Sequence, residues 1–466
     1  MTIARRGTLG DVKESGAILL VACYELGHQP LAVAWPAAFL EREGYTPAVM
    51  DVSVEPFDAE RVRRAKLVAI SVPMHTALRL GVALARRVRA ENPSCHIAFY
   101  GLYATLNASH LLAGIADSVM SGEIEAALVD RVRALEGDDR STAPPETRPV
   151  LTRLDFPAPS RAKLPSLKKY AHLEREGRLE LVGYVEASRG CKHVCRHCPI
   201  PPVYGGRFFV VPAPVVLDDV RQQVEAGATH ITFGDPDFLN GPGHALAVAR
   251  ALHAVFPRLT FDFTAKIEHL LRHHDRLAEF AQLGCAFIVS AAESLNDTVL
   301  THLDKGHKRA DIESAVRLTA EAGISLRPTW VAFTPWTTLE DYRELLEFVE
   351  ARGLVDSIDP VQYSVRLLVP PGSLLLESAA LRPYLGELFA DQFYHRWTHP
   401  DPRMEALHAD VSSLVAAAAD RREDAALTFQ RVCELADRQA GLTPRQRSAP
   451  GLDRRRPPRL TEPWFC

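Results

Sequence analysis

A chain of 466 residues with 47% hydrophobic content is long enough for two or three domains with packed cores. Its formal charge of -4 gives no basis for general binding to nucleic acid, and no apolar run approaches the ~20 residues of a membrane-spanning helix. A soluble, cytoplasmic protein is expected: Ala17–Cys23 follows charged residues and precedes a helical pattern, so it reads as a buried strand rather than a leader.

Residues 17–135 alternate short apolar runs with amphipathic ones. Strands are predicted at 18–22, 48–52, 67–72, 97–100 and 118–120, and helices near 31–42, 57–65, 75–90 and 123–135. Such alternation implies a parallel sheet covered on both faces, a doubly wound, flavodoxin-like domain over 1–135 whose ligand crevice lies at the carboxyl ends of its strands. The crevice loops are then Cys23–Gln29, Ser71–His75, Gly101–Thr105 and Ser121–Glu123. The polar, Pro-rich stretch 136–149 reads as a linker that continues as extended chain to 180.

From Leu181 the alternation resumes. Strands are expected at 181–188, 229–233, 259–264, 285–291, 324–332 and 358–368, with helices near 214–226, 243–255, 267–283, 308–322 and 338–351. Six such units make a partial (βα)6 barrel over 181–373 with its chemistry at the strands' carboxyl ends. Residues 374–440 read as helices over the open side of the barrel. Residues 441–466 read as a flexible Arg/Pro-rich tail ending in Cys466.

Of eight cysteines, only Cys191, Cys195 and Cys198 have ligand spacing, in a loop that opens on Gly190 and closes on Pro199 after the first barrel strand. Three thiolates around one metal centre suit an iron–sulfur cluster, and three ligands for a four-iron cluster leave one iron open. A Cys3His zinc site completed by His193 or His197 is the other donor set that this loop offers. Two further stretches end the second and fourth barrel strands, Phe233-Gly234-Asp235-Pro236-Asp237 and Ser290-Ala291-Ala292-Glu293-Ser294, and Arg327 lies on the fifth.

The C-x3-C-x2-C spacing resembles the signature of radical S-adenosylmethionine (SAM) enzymes. The resemblance implies a [4Fe–4S] cluster on the three cysteines, with SAM chelated to the open iron and cleaved by one electron to a 5′-deoxyadenosyl radical. It further implies that Gly234 and Asp235 hold the SAM ammonium group, Glu293 the ribose, Arg327 the SAM carboxylate, and His197 the adenine. The first domain looks like the cobalamin-binding domain that precedes many such barrels, with Ser71 and Gly101 at the corrin. The Asp-x-His-x-x-Gly motif of that domain is absent. Leu368-Val369-Pro370-Pro371-Gly372-Ser373 resembles the Pro-Gly-Thr turn of cobalamin-type members.

The ending Glu462-Pro463-Trp464-Phe465-Cys466 resembles the start of the tail that names the CUAEP/CCAEP family of radical SAM (seleno)proteins, where Cys466 would be followed by selenocysteine at a UGA codon. The resemblance implies methyl transfer or radical rearrangement on a small-molecule or peptide substrate, with an external one-electron donor such as a flavodoxin or ferredoxin. Two other readings stand beside it: a radical SAM enzyme without cobalamin whose first domain binds substrate, and a non-catalytic metal-binding or electron-transfer protein.

Overall fold

A computed structural model describes residues 12–136, 148–445, 454 and 456–462. Residues 137–147 of the expected linker, and 446–453, 455 and 463–466 of the expected tail, Cys466 among them, lie outside these residues. The first sheet contains β1 (Ile18–Ala22), β2 (Ala48–Asp51), β3 (Leu67–Ser71), β4 (His96–Tyr100) and β5 (Ser118–Met120). All pairs are parallel, in the order β2-β1-β3-β4-β5. That order reverses between β1 and β3, which places the crevice of a doubly wound sheet beside them. The strands are continuous apolar runs because helices bury both faces, and every residue of β1 and β3 is buried. The covering helices are α1 (Leu31–Arg42), α2 (Ala59–Arg64), α3 (His75–Glu91) and, after two short turns α4 (Leu102–Leu106) and α5 (Ala108–Leu112), α6 (Ile124–Glu136).

The second sheet begins with β6 (His172–Arg175), which pairs antiparallel with β7 (Arg178–Val185). A small clasp, β8 (Ser188–Gly190) against β9 (Phe208–Val210), follows around the short helix α7 (Pro201–Tyr204). Next come α8 (Ala213–Glu225), β10 (His230–Phe233), α9 (Pro242–Val255), β11 (Thr260–Thr264), α10 (Ile267–Arg272), α11 (Leu277–Gln282) and β12 (Cys285–Glu293). After α12 (Asp297–His302) and α13 (Arg309–Glu321), β13 (Ser325–Trp330) completes a parallel run β7-β10-β11-β12-β13, and α14 (Leu339–Ala351) covers it. The curved half-barrel and doubly wound first domain match the expected fold class.

Residues 358–368 depart from the expected sixth strand. They form one helical turn at Pro360–Tyr363 and a single bridge, Phe333 to Arg366. Their apolar residues are buried without strand pairing, because Gln362 caps the Trp330 N–H of β13 at 2.9 Å and the Tyr342 hydroxyl of α14 donates to the Tyr363 carbonyl at 2.9 Å. The region read as helical opens instead with a hairpin, β14 (Leu385–Phe389) and β15 (Tyr394–Trp397), before α15 (Pro402–Asp420) and α16 (Ala425–Gln439). Phe393 at the hairpin turn enters the core of the first domain.

The described part of the tail is docked. β16 (Arg459–Leu460) pairs with β6, and Arg459 meets Glu174 at 2.7 Å. Across the opening, Arg327 of β13 reaches the Pro458 carbonyl at 3.4 Å, and Glu462 meets His28 of the first domain at 2.7 Å. Arg454 bridges Asp356 and Asp424, both at 2.7 Å. Residues 456–462 thus span the gap between the two edge regions of the half-barrel. Among the described residues of the tail, Arg454, Arg456 and Arg459 are each paired with a carboxylate.

Two buried charge clusters fasten the domains together. Arg161, 7% exposed, binds Asp219 of α8 through two nitrogens at 2.8 Å and also reaches the Gln29 and Tyr184 carbonyls. Arg189 in the clasp lies 4.2 Å from the Trp35 ring of α1 and pairs with Glu123 at 3.3 Å, Glu125 at 2.7 Å and Glu186 at 3.2 Å. Removing one member of a buried ion network strands the others. Arg189→Met is therefore expected to cost about 3–5 kcal/mol of stability, read as a drop in the urea midpoint.

Candidate metal centre

The loop from Cys191 to Arg207 is held at its base by the β8–β9 clasp. The Cys191 N–H donates to the Arg207 carbonyl at 3.1 Å. Gly190, at φ +76°, lies where a Cβ would come within 2.5 Å of that same carbonyl, so the tight entry requires glycine. Within the loop the Cys198 N–H donates to the Cys195 carbonyl at 3.2 Å, the geometry of a turn. The Arg196 N–H reaches the Leu303 carbonyl at 2.9 Å, and Asn240 accepts from the Lys192 N–H at 3.2 Å. Of these supports the sequence had singled out only Gly190, at the opening of the loop.

All three loop cysteines are free thiols; Cys191 and Cys195 are buried and Cys198 half-buried. Burial raises the Cys191 thiol above its ordinary value and pushes Cys198 up to about 12, with the neighbouring thiols adding to the rise in each case. Three such groups brought within electrostatic range of one another are a donor set for a cation, which would hold them as thiolates. Every other described cysteine lies in a hydrophobic core: Cys23 and Cys95 in the first domain, Cys285 and Cys433 in the second. The donor set therefore fits a cluster with three protein ligands. Both histidines of the loop meet carboxylates: His193 has Asp237 at 3.6 Å, and His197 has Glu293 at 3.1 Å. This orientation favours the three-thiol donor set over the Cys3His one.

Glu293 ends β12 at φ +65°, in the left-handed region that a non-glycine residue occupies at a cost. The register against β13 shifts there too, between Ala291 and Glu293. The bend turns the carboxylate toward the cysteine loop, where Lys305 at 3.1 Å and His197 meet the same oxygen. Burial opposes the charge on Glu293, yet Lys305 and His197 hold its carboxyl well below the usual range. Burial likewise opposes the charge on Lys305, and Glu293 with the Cys195 and Cys198 thiols holds it above the usual lysine value. Lys305, which the sequence did not single out, thus puts a positive charge beside two of the three sulfurs.

Gly234 and Asp235 close β10. A Cβ on Gly234 would lie 2.1 Å from the Tyr184 hydroxyl, so the glycine makes room for that ring. Asp235 accepts from the Ser188 hydroxyl and from the Ala187 N–H at 2.9 Å, which ties β10 to the start of the cysteine loop. Burial pushes its carboxyl up to about 7 despite these donors. Both residues line a cavity of about 220 Å³ in the barrel lumen, with Asp262, Arg327, His28 and Glu462. Leu173, Val182 and Phe287, with Leu460 against them, pack as a separate apolar cluster within the same barrel.

Arg327 stands beside Val289, while Glu293 stands beside Trp330. Four residues of strand, about 13 Å at ~3.3 Å each, separate the two levels. The Arg327 guanidinium is occupied by Asp359 at 3.0 Å and by the Pro458 carbonyl. The structure therefore groups His197 and Glu293 with the cysteines, and groups Gly234, Asp235 and Arg327 around the lumen.

At the first domain's crevice, Ser71 ends β3 with its hydroxyl buried beside Tyr100 and without a well-formed hydrogen bond. Gly101, at φ +104°, is required by the chain itself, since a Cβ there would lie 3.0 Å from the Val72 backbone. Gly122 likewise abuts the Val150 backbone, and Glu123 after it accepts from the Tyr204 hydroxyl of α7 at 2.9 Å. The loop after β5 thus braces the cysteine loop.

The family model of the Radical SAM superfamily matches residues 185–349, from the end of β7 to α14. The chain is 28% identical over 177 residues to the ribosomal protein uS12 methylthiotransferase RimO of Geotalea uraniireducens, covering 36% of this chain and 39% of that protein. It is 23% identical over 328 residues to the hopanoid C-3 methylase of Methylococcus capsulatus, covering 66% of this chain and 62% of that one. The chain therefore spans about two fifths and three fifths of these two relatives. Among solved structures, the cobalamin-dependent SAM radical enzyme OxsB with aqua-cobalamin bound superposes with a TM-score of 0.67 at 13% identity, over 87% of this chain and 67% of that one. No helix among the described residues is long and apolar enough to cross a membrane.

Because Lys305 and Glu293 are both buried, Lys305→Met leaves an uncompensated carboxylate and is expected to cost about 3–5 kcal/mol at pH 7 by chemical denaturation. The lowered folded value of Glu293 means that its stabilisation is present above the ordinary carboxyl value of 4.5 and is lost as pH falls through the folded one. In the variant the carboxyl takes up a proton more readily. The gap to wild type is expected to narrow as pH falls below about 4.5.

Proposed function

We propose that this chain, whose residues 185–349 match the Radical SAM superfamily model, is an enzyme that cleaves SAM reductively and acts by methyl transfer or radical rearrangement on a small substrate in the barrel lumen. The observation that carries this is the set of three cysteines on one braced loop, two buried and one half-buried, with every other described cysteine buried in a core. Cys191, Cys195 and Cys198 would hold a [4Fe–4S] cluster, which when reduced supplies the electron that breaks the sulfonium bond of SAM.

The chain's own residues do the positioning. Lys305, beside the Cys195 and Cys198 thiols, stabilises their anionic form. Glu293, held ionised by Lys305 and His197, is an acceptor for the ribose hydroxyls. The ring of His197, next to Cys198, is placed to stack on adenine. Gly234 and Asp235 would receive the amino end of SAM, Asp235 as an acceptor when ionised. Arg327, committed to Asp359, faces substrate in this reading rather than SAM. An external one-electron donor, of flavodoxin or ferredoxin type, completes the cycle.

Likeness in fold to OxsB across both domains supports a cobalamin-type enzyme. A bound cobalamin would supply a methyl carrier or radical partner. Gly101 and Gly122, spent on the chain's own backbone, favour the second reading, in which the first domain braces the loop and contacts substrate. Whether Cys466 is followed by selenocysteine is a further part of the proposal, read from the downstream codons.

Anaerobically reconstituted protein with SAM and dithionite is expected to form 5′-deoxyadenosine, and Cys191→Ala to reduce that by more than ~100-fold. Full turnover by the variant would sink the cluster assignment. In the same preparation, corrin absorbance retained after gel filtration with added cobalamin selects the cobalamin reading, and its absence selects the other.

A further inference from the structure

Beside the cysteine loop, three side chains from three elements converge on one buried point. His193 comes from the loop itself, between Cys191 and Cys195. Asp237 comes from the turn after β10, and His269 from α10. One ligand-type atom of each lies within 4.8 Å of the other two. Asp237 is 0% exposed and His269 4%, while the His193 side chain is 15% exposed. His269 Nδ1 stands 2.7 Å from Asp237 Oδ2, and His193 Nε2 stands 3.6 Å from the same oxygen.

None of these three atoms makes a hydrogen bond of sound geometry, and none is open to solvent. His269 Nδ1 and His193 Nε2 both face Asp237 Oδ2 without well-aligned hydrogen bonds, so a cation at that point would give all three buried atoms one shared partner. Two imidazole nitrogens and one carboxylate oxygen are a ligand set for a divalent transition-metal ion. The remaining atoms of these side chains are arranged to aim them. Asp237 Oδ1 is taken by the Leu239 N–H at 3.0 Å, which leaves Oδ2 for the shared point. His193 Nδ1 has Lys266 Nζ at 3.1 Å and Glu268 Oε2 at 3.8 Å. In this structure Lys266 donates to Nδ1; with Nε2 on a cation the ring proton sits on Nδ1, so the ammonium has to turn away and leave Glu268 as the acceptor, as carboxylates behind metal-bound imidazoles are. Lys266, 3.6 Å from Glu268, then pairs with that carboxylate.

We propose that His193, Asp237 and His269 bind one divalent ion of the Zn²⁺ class, at a site separate from the three thiols. Such an ion ties the first half of the cysteine loop to the β10 turn and to α10. Its three protein ligands leave at least one position for water. This inference does not rest on the SAM reading, since its donors are nitrogen and oxygen.

The test uses the full chain with its cluster reconstituted, stripped with a chelator and then titrated with Zn²⁺, with zinc and iron counted together by elemental analysis. About one zinc per chain is expected beyond the iron. Asp237→Asn and His269→Gln are each expected to weaken zinc binding by at least ~10-fold. Cys191→Ala is expected to lower iron and leave zinc unchanged. Co²⁺ in place of Zn²⁺ should show visible bands of a nitrogen and oxygen site without the sulfur-to-cobalt band of a thiolate one. A melting shift on adding Zn²⁺ to the wild type but not to a cooperatively melting His269→Gln would agree. The proposal is overturned if the wild type takes up no zinc, if both ligand variants retain it, if zinc leaves with iron in Cys191→Ala, or if Co²⁺ gives a thiolate spectrum. The first of these outcomes would make the three side chains a metal-free clamp.

Discussion

The buried charge of Arg189 is the constraint on which the arrangement rests. It leaves the clasp that opens the cysteine loop, lies against Trp35 and Phe156 of the first domain, and meets three carboxylates. Glu123 and Glu125 are buried, and Glu186 is half-buried. Burial pushes Glu186 up to about 7 and raises Glu123 even with the guanidinium beside them. The cation in that position joins α1 and the carboxylates at the start of α6 to the clasp that opens the cysteine loop. Tyr204, donating to Glu123 from the far side of the loop, completes the brace.

The lumen is enclosed by pieces that are far apart in sequence. Its walls include the β10 end, Arg327 of β13, His28 of the first domain and Glu462 near the last described residues. Because β16 docks on β6 while Pro458 accepts from Arg327, the open edge of the half-barrel is bridged by main chain rather than by a sixth strand. The lining of the cavity thereby includes Leu460 and Glu462, from a segment whose composition alone reads as solvated. The pairing of Arg454 and Arg459 with Asp356, Asp424 and Glu174 shows why. A run of arginines docks where acidic side chains already wait, and composition carries no information on that.

Local pattern was informative where local forces dominate. The five strands of the first domain appear within a residue or two of where apolar runs placed them, since a fully covered parallel strand must be apolar throughout. The cysteine spacing needed no tertiary knowledge, because three sulfurs within eight residues can meet through the turn their own backbone makes. Residues 358–368 looked like a strand by the same rule and are not one. Burial against helices satisfies an apolar run as well as a neighbouring strand does, and the two cannot be separated by periodicity.

What the sequence by itself determined is the alternation of strand and helix, the two-domain order and the three-thiol loop, all of which follow from side-chain periodicity and short-range spacing. Only the tertiary structure decided the partners of isolated charges. It set Lys305 against Glu293, His193 against Asp237 and His269, and Arg327 against Asp359. It also decided that Gly101 and Gly122 make way for backbone. Coulomb interaction and desolvation depend on distances in space and on burial, and neither is written in the order of residues along a chain.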